Sequence, residues 1–132
     1  MKRLLTLLLL CAAPVQAQDD PGNGVSLEIE NVDGVATGAG AILRGLDKVN
    51  AEFQDIEILN GTSVRYERLV IDLGECRYPE NNPAGDAYAF LTIRDQGAAE
   101  PVFQGWMLAS SPALNALDHS RYDVWVLRCK TS

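Results

Sequence analysis

The chain has 132 residues, with 18 acidic against 11 basic side chains and a formal net charge of −7. An acidic chain without a Lys/Arg cluster is a poor partner for nucleic acid or for an anionic membrane surface. One His and three Cys among scattered acids make no recognisable ligand set, so no metal and no cofactor is expected.

The N-terminus, MKRLLTLLLLCAAPVQAQ, sets the compartment. Lys2 and Arg3 precede an apolar run from Leu4 to Ala13, and Val15 and Ala17 stand at −3 and −1 of a cleavage site after Ala17. Residues 1–17 therefore read as a secretory signal peptide, and the product is expected in the periplasm. The run is too short to span a bilayer comfortably, so no stable membrane insertion is expected after cleavage. Cys11 raises a lipoprotein alternative, but bulky Leu10 stands where that processing wants a small residue. Cleavage removes two basic residues and leaves 115, with nine Lys+Arg against eighteen Asp+Glu and a net charge of −9. That length suits one domain with one core.

Residues 18–35 read as a flexible leader. Within it Val25, Leu27 and Ile29 alternate with Ser26, Glu28 and Glu30, which marks an edge strand. Residues 36–132 form the β domain. GVATGAGAILRGLDKV is glycine-rich and then strand-like through Ile42, Leu43 and Leu46, and FQDIEIL is a further strand. Asn60-Gly61 is a strong hairpin signal, because a type I′ turn needs positive φ at both central residues. SVRYERLVIDLGECRY reads as one returning strand, with PENNPAGD (79–86) a loop after it. AYAFLTIRD and VFQGWMLAS follow. In the last strand, YDVWVLRC, strict alternation puts Trp125, Leu127 and Cys129 on one face and Tyr122, Val124 and Val126 on the other; Trp125 is expected to be buried. Once Cys11 has left, Cys76 and Cys129 remain as an even pair in an oxidising compartment and read as a disulfide. The pattern predicts an all-β domain, a small barrel or sandwich of six to seven mostly antiparallel strands.

GWMLASSPALNALDH (105–119) concentrates the candidate chemistry. Ser111 can cap a helix and Pro112 suits its first position, so one short helix is expected near residues 111–118. Leu114 and Leu117 would share its face and close one end of the fold. A catalytic alternative activates Ser110 or Ser111 through His119, oriented by Asp118. Neighbouring Asp and His side chains rarely meet as a triad requires, and no Gly-x-Ser-x-Gly elbow exposes the serine. No catalytic residue is therefore assigned.

LRGLDK (43–48), ECRYPENNPAGDAYAFLTI (75–93), FQGWMLASSPALNALDH (103–119) and RYDVWVLRC (121–129) together resemble the domain of unknown function 2155 family, secreted or periplasmic proteins of alphaproteobacteria. The similarity covers about residues 36–130. Ser120 stands where the family more often has Pro, and Asn50-Ala51 where Gly is common; Asn tolerates positive φ, so the turn is expected to survive. The resemblance implies a secreted single domain and no reaction.

The function expected from these readings is a periplasmic binding or accessory domain that docks on an envelope protein or membrane complex. The alternative is a small hydrolase acting on an envelope glycan or ester. Arg44, Lys48, Tyr78, Trp106, Arg121 and Tyr122 are the candidate interaction residues, because Trp, Tyr and Arg are the usual anchors of interfaces. That site requires Arg44, Lys48, Arg121 and Trp106 to share a face.

Overall fold

The computed structural model describes residues 34–131. The signal segment and the strand read over residues 25–30 lie outside the described residues. Eight strands follow in order: β1 (Val35–Thr37), β2 (Gly40–Asp47), β3 (Glu52–Leu59), β4 (Ser63–Tyr66), β5 (Leu69–Pro79), β6 (Tyr88–Asp95), β7 (Phe103–Leu108) and β8 (Tyr122–Lys130). They make two antiparallel sheets, packed as a sandwich and not closed as a barrel. In the larger sheet β1 and β4 share one edge of the long strand β5, and β6 and β7 follow on its other side. The smaller sheet has the order β3-β2-β8.

Alternation decides which face of each strand is buried. β5 turns Leu69, Ile71 and Leu73 inward, and β6 turns Leu91 and Ile93 inward. The smaller sheet answers with Leu43, Ile56, Ile58, Val124 and Val126. Each such side chain contributes roughly 1.5–3 kcal/mol on full burial. At Gly45 of β2 the facing sheet comes close: the ring of Tyr66 lies where a side chain would stand, 2.6 Å from an added Cβ.

Several local expectations change. No helix forms over residues 111–118; one i→i+3 bond, from the Leu114 N–H to the Ser111 carbonyl, is all that remains of it. The connector must run the length of β6, roughly 25–30 Å, whereas an eight-residue helix rises only about 12 Å. Leu117 is buried in the core, but Leu114 is 74% exposed, so the two do not share a face. Asn60-Gly61 makes a turn between β3 and β4, which belong to different sheets, so it closes no hairpin. Only Gly61 of that pair has positive φ, which rules out type I′. The long strand predicted over residues 63–78 breaks at Glu67-Arg68, a two-residue turn pairing Tyr66 with Leu69, with φ 52° at Glu67. In the β2–β3 turn the positive φ falls on Ala51 (61°) and not on Asn50, whose side chain accepts the Glu52 N–H.

Two β-bulges govern the disulfide. In β5, Leu73 pairs with Leu91 and Cys76 with Ala89, so two residues, Gly74 and Glu75, oppose Phe90 alone. In β8, Val126 pairs with Leu43 and Arg128 with Ile42, which leaves Leu127 as the extra residue. Each bulge reverses the in–out alternation. Cys76 thus faces inward with Leu73, and Cys129 faces inward with Val126. The two sulfurs are bonded across the sandwich, with Cα atoms 5.6 Å apart. The second bulge also corrects Trp125: it shares the outer face with Leu127 and is half-buried, opposite to Cys129. Beside the bridge the chain crosses from β1 to β2. Gly38 donates to the Cys76 carbonyl and Ala39 to the Lys130 carbonyl. A Cβ on Gly38 would lie 2.5 Å from the Lys130 oxygen and 3.2 Å from Cys129 Cβ.

Replacing both Cys76 and Cys129 by Ala is expected to lower stability by about 4 kcal/mol in the chain-entropy account. Urea unfolding of the oxidised and double-Ala proteins measures it. Ala51→Gly removes a left-handed Ala and is expected to raise stability by about 1 kcal/mol in the same assay.

Candidate functional site

Asp47, at the end of β2, is the buried charge among the described residues, 5% exposed. Arg121 binds it through Nη2 at 3.0 Å and through Nε at 3.3 Å to both oxygens. The Val49 N–H adds a bond of 3.0 Å. The Arg121 bond, with that of Val49, holds the Asp47 carboxyl below the usual carboxylate range, and the same pairing raises Arg121. Next to this pair Lys48 donates its backbone N–H to the Arg121 carbonyl and its Nζ to the His119 carbonyl. Lys48 and Arg121 therefore lock the turn after β2 to the start of β8. Tyr122 is buried between Tyr66, edge-on at 5.8 Å, and the stacked His119 ring at 5.3 Å.

His119 is fully engaged. Its Nδ1 accepts the N–H groups of Arg121 and Tyr122 at 3.0 and 3.1 Å, which leaves the proton on Nε2. Nε2 donates to Asp95 Oδ2 at 2.7 Å. That bond and the Gly97 N–H hold Asp95 low. Its carboxylate partner is thus Asp95, and Asp118 is exposed. Ser110 is bound elsewhere: its Oγ donates to Asp86 Oδ2 at 2.6 Å and its N–H to Oδ1 at 2.9 Å. Burial pushes Asp86 up, but these bonds and the Ala87 N–H outweigh it and leave it low. Asp86 precedes β6 and Asp95 ends it, so Ser110 and His119 are fixed about one strand length apart. Ser111 is exposed and sits in the Leu108–Leu114 turn. The structure does not bring Ser110 or Ser111 to His119.

The candidate interaction residues do not form one patch. Trp106 lies on the outer face of the larger sheet, edge-on to Phe90 at 5.4 Å and capped by Arg77 at 5.4 Å. Tyr78 is half-buried at the end of β5, packed against the core. Arg44 lies on the opposite, outer face of the smaller sheet. There it pairs with Asp55 at 2.7 and 3.1 Å and covers the Phe53 ring at 4.9 Å. Asp55 is held low, and Arg44 raised, by that bond. The requirement that Arg44, Lys48, Arg121 and Trp106 share a face is not met.

The same outer face supplies residues that periodicity had placed in the core or passed over. Trp125 stands across from Arg44, Leu46 pairs with Phe53, and Ile42 follows, all half-buried. Phe53 is 65% and Leu59 51% exposed. Along β8 the connector turn leaves a crevice of about 340 Å³ lined by Pro112, Ala113, Ala116, Asp123, Val124 and Trp125. Among the described residues no group of three or more His, Cys, Asp or Glu could hold a metal ion. No helix there is long and apolar enough to cross a membrane.

A family described as "Uncharacterized protein conserved in bacteria (DUF2155)" matches residues 41–129. The chain belongs to this family. The matched span runs from the first residues of β2 through Cys129, so it holds seven of the eight strands, all but β1, with both bulges and both bridged cysteines. The uncharacterized protein RP359 of Rickettsia prowazekii (strain Madrid E) is similar, with 28% identity over 87 residues. That match covers 64% of this chain and 56% of the relative, so the chain spans little more than half of that protein. No solved structure matches.

The depressed carboxyls fix the sign of the pH response. A carboxyl held low in the folded state contributes stability above the unfolded value of about 4, and that contribution is lost as pH falls through the folded value. Stability is therefore expected to fall below about pH 4. Asp47→Asn is expected to lower stability at neutral pH and to flatten this acid limb; urea midpoints between pH 2.5 and 7 for both proteins check it.

Proposed function

We propose that this DUF2155 domain is a periplasmic binding or accessory module that docks on an envelope protein or membrane complex through the outer face of the smaller sheet. One observation carries the reading: Arg44, Phe53, Leu46 and Trp125 stand together on the outer face of the smaller sheet, where Phe53 is 65% exposed. Aromatic rings and Arg, with neighbouring aliphatic surface, are the composition of interface anchors. A bridge between Cys76 and Cys129 suits an oxidising compartment, which with the signal-like N-terminus supports secretion. The hydrolase alternative has no supporting observation, since the hydroxyl of Ser110 and both ring nitrogens of His119 are spent on separate structural bonds.

The test is affinity capture of the tagged protein from gently solubilised envelopes, beside a Phe53→Ser/Arg44→Glu variant. The Arg44–Asp55 pair is partly exposed and screened by solvent, so the variant should fold. A stoichiometric envelope partner with the parent protein, and at least tenfold less of it with the variant, is expected. Recovery of the parent protein alone would overturn the proposal.

A further inference from the structure

Three arginines of the described chain are held in the same way. Each lies over an aromatic ring and is paired with a carboxylate. Arg44 covers Phe53 and binds Asp55. Arg77 covers Trp106 and binds Glu75. Arg121 covers Tyr122 and binds Asp47. A ring face attracts a cation through its quadrupole, and the guanidinium suits both stacking and the carboxylate fork.

A fourth ring and carboxylate have no cation among the described residues. Asp123 and Trp125 stand two residues apart on the outer face of β8, the spacing that Phe53 and Asp55 have on β3. Trp125 has no aromatic or cationic partner among the described residues, and the Asp123 carboxylate has no hydrogen bond or ion pair there. Arg44 sits across from Trp125 but is turned to the other side, onto Phe53 and Asp55. Asp123 and Trp125 instead line the crevice of about 340 Å³ whose opposite wall is Pro112, Ala113 and Ala116. That is the lower end of ligand-pocket size, room for one or two side chains. Its walls are apolar and suit a methylene stem, and the chain as a whole is acidic.

We propose that the Asp123–Trp125 crevice is an arginine-binding site: it receives an Arg side chain of the docked partner, with the guanidinium on the Trp125 ring and the Asp123 carboxylate and the stem against Pro112, Ala113 and Ala116. The proposal rests on the docking reading and adds the chemistry that the partner presents.

The experiment is a titration of the ¹⁵N-labelled, oxidised protein with n-butylguanidinium, followed at the indole N–H resonances. Trp106, already capped by Arg77, is the internal reference. The Trp125 resonance is expected to shift saturably while that of Trp106 stays still. Asp123→Asn is expected to weaken binding at least tenfold with an unchanged urea midpoint, and n-butylammonium to bind more weakly than the guanidinium. Neutral butyramide is expected to give no saturable shift. Equal movement of both indoles, equal binding of butyramide, or undiminished binding by the Asp123→Asn variant would overturn the site. The two proposals fail separately. Capture of a partner without any guanidinium effect removes the arginine site and leaves docking. An Asp123-dependent guanidinium site in a protein that captures no partner removes docking and leaves the site.

Discussion

The bond between Cys76 and Cys129 is what the remaining structure is arranged around, and it depends on two local irregularities. In a regular strand, Cys76 would point away from the side that carries Leu69, Ile71 and Leu73, and Cys129 away from the side of Val124 and Val126. One extra residue in β5 and one in β8 reverse both parities, so that the sulfurs meet inside the sandwich. The chain then passes from the larger to the smaller sheet beside the bridge, where Gly38 has room for no side chain. Main-chain bonds to Cys76 and Lys130 lie on either side of the crossing. The covalent link, the crossing and the bulges therefore form one local unit that ties the two sheets together.

The opposite end is held by polar groups instead. Asp47 accepts from Arg121 and Val49, His119 holds the start of β8 and reaches Asp95, and Lys48 closes onto His119. These are the residues that would attract a search for catalysis: a buried acid, the single His and two cations. The bonds they make join three strand ends, and Asp123 and Trp125 lie elsewhere, on the outer face of β8.

Much of this was legible in the sequence, and the misses have physical causes. The all-β class follows from alternation and turn residues, and the cysteine pairing from the even count left once the signal-like segment is set aside. Trp125 was misread because its face was reckoned together with Cys129, and a bulge in the intervening Leu127-Arg128 step leaves no mark in hydropathy. The Glu67-Arg68 turn was invisible because neither residue is a turn former; the pairing of β4 with β5 imposes a left-handed Glu. Ser110-Ser111-Pro112 is a sound helix start locally, but the distance that the connector must cover and the claim of Asp86 on Ser110 outrank that preference. Arg44 stands half-buried on the outer face of the smaller sheet, paired with Asp55. Its grouping with Trp106 failed because the two lie on opposite faces of a sandwich, a relation that only topology fixes.

The connector between β7 and β8 is fastened near both its ends, by Ser110 on Asp86 and by His119 on Asp95, with Leu117 as a plug in the core. Pro112, Ala113 and Leu114 lie between those fastenings, outside both sheets and away from every strand register. A side chain changed at Pro112 or Ala113 would therefore reshape one wall of the crevice without touching a strand pairing or the Cys76–Cys129 bridge.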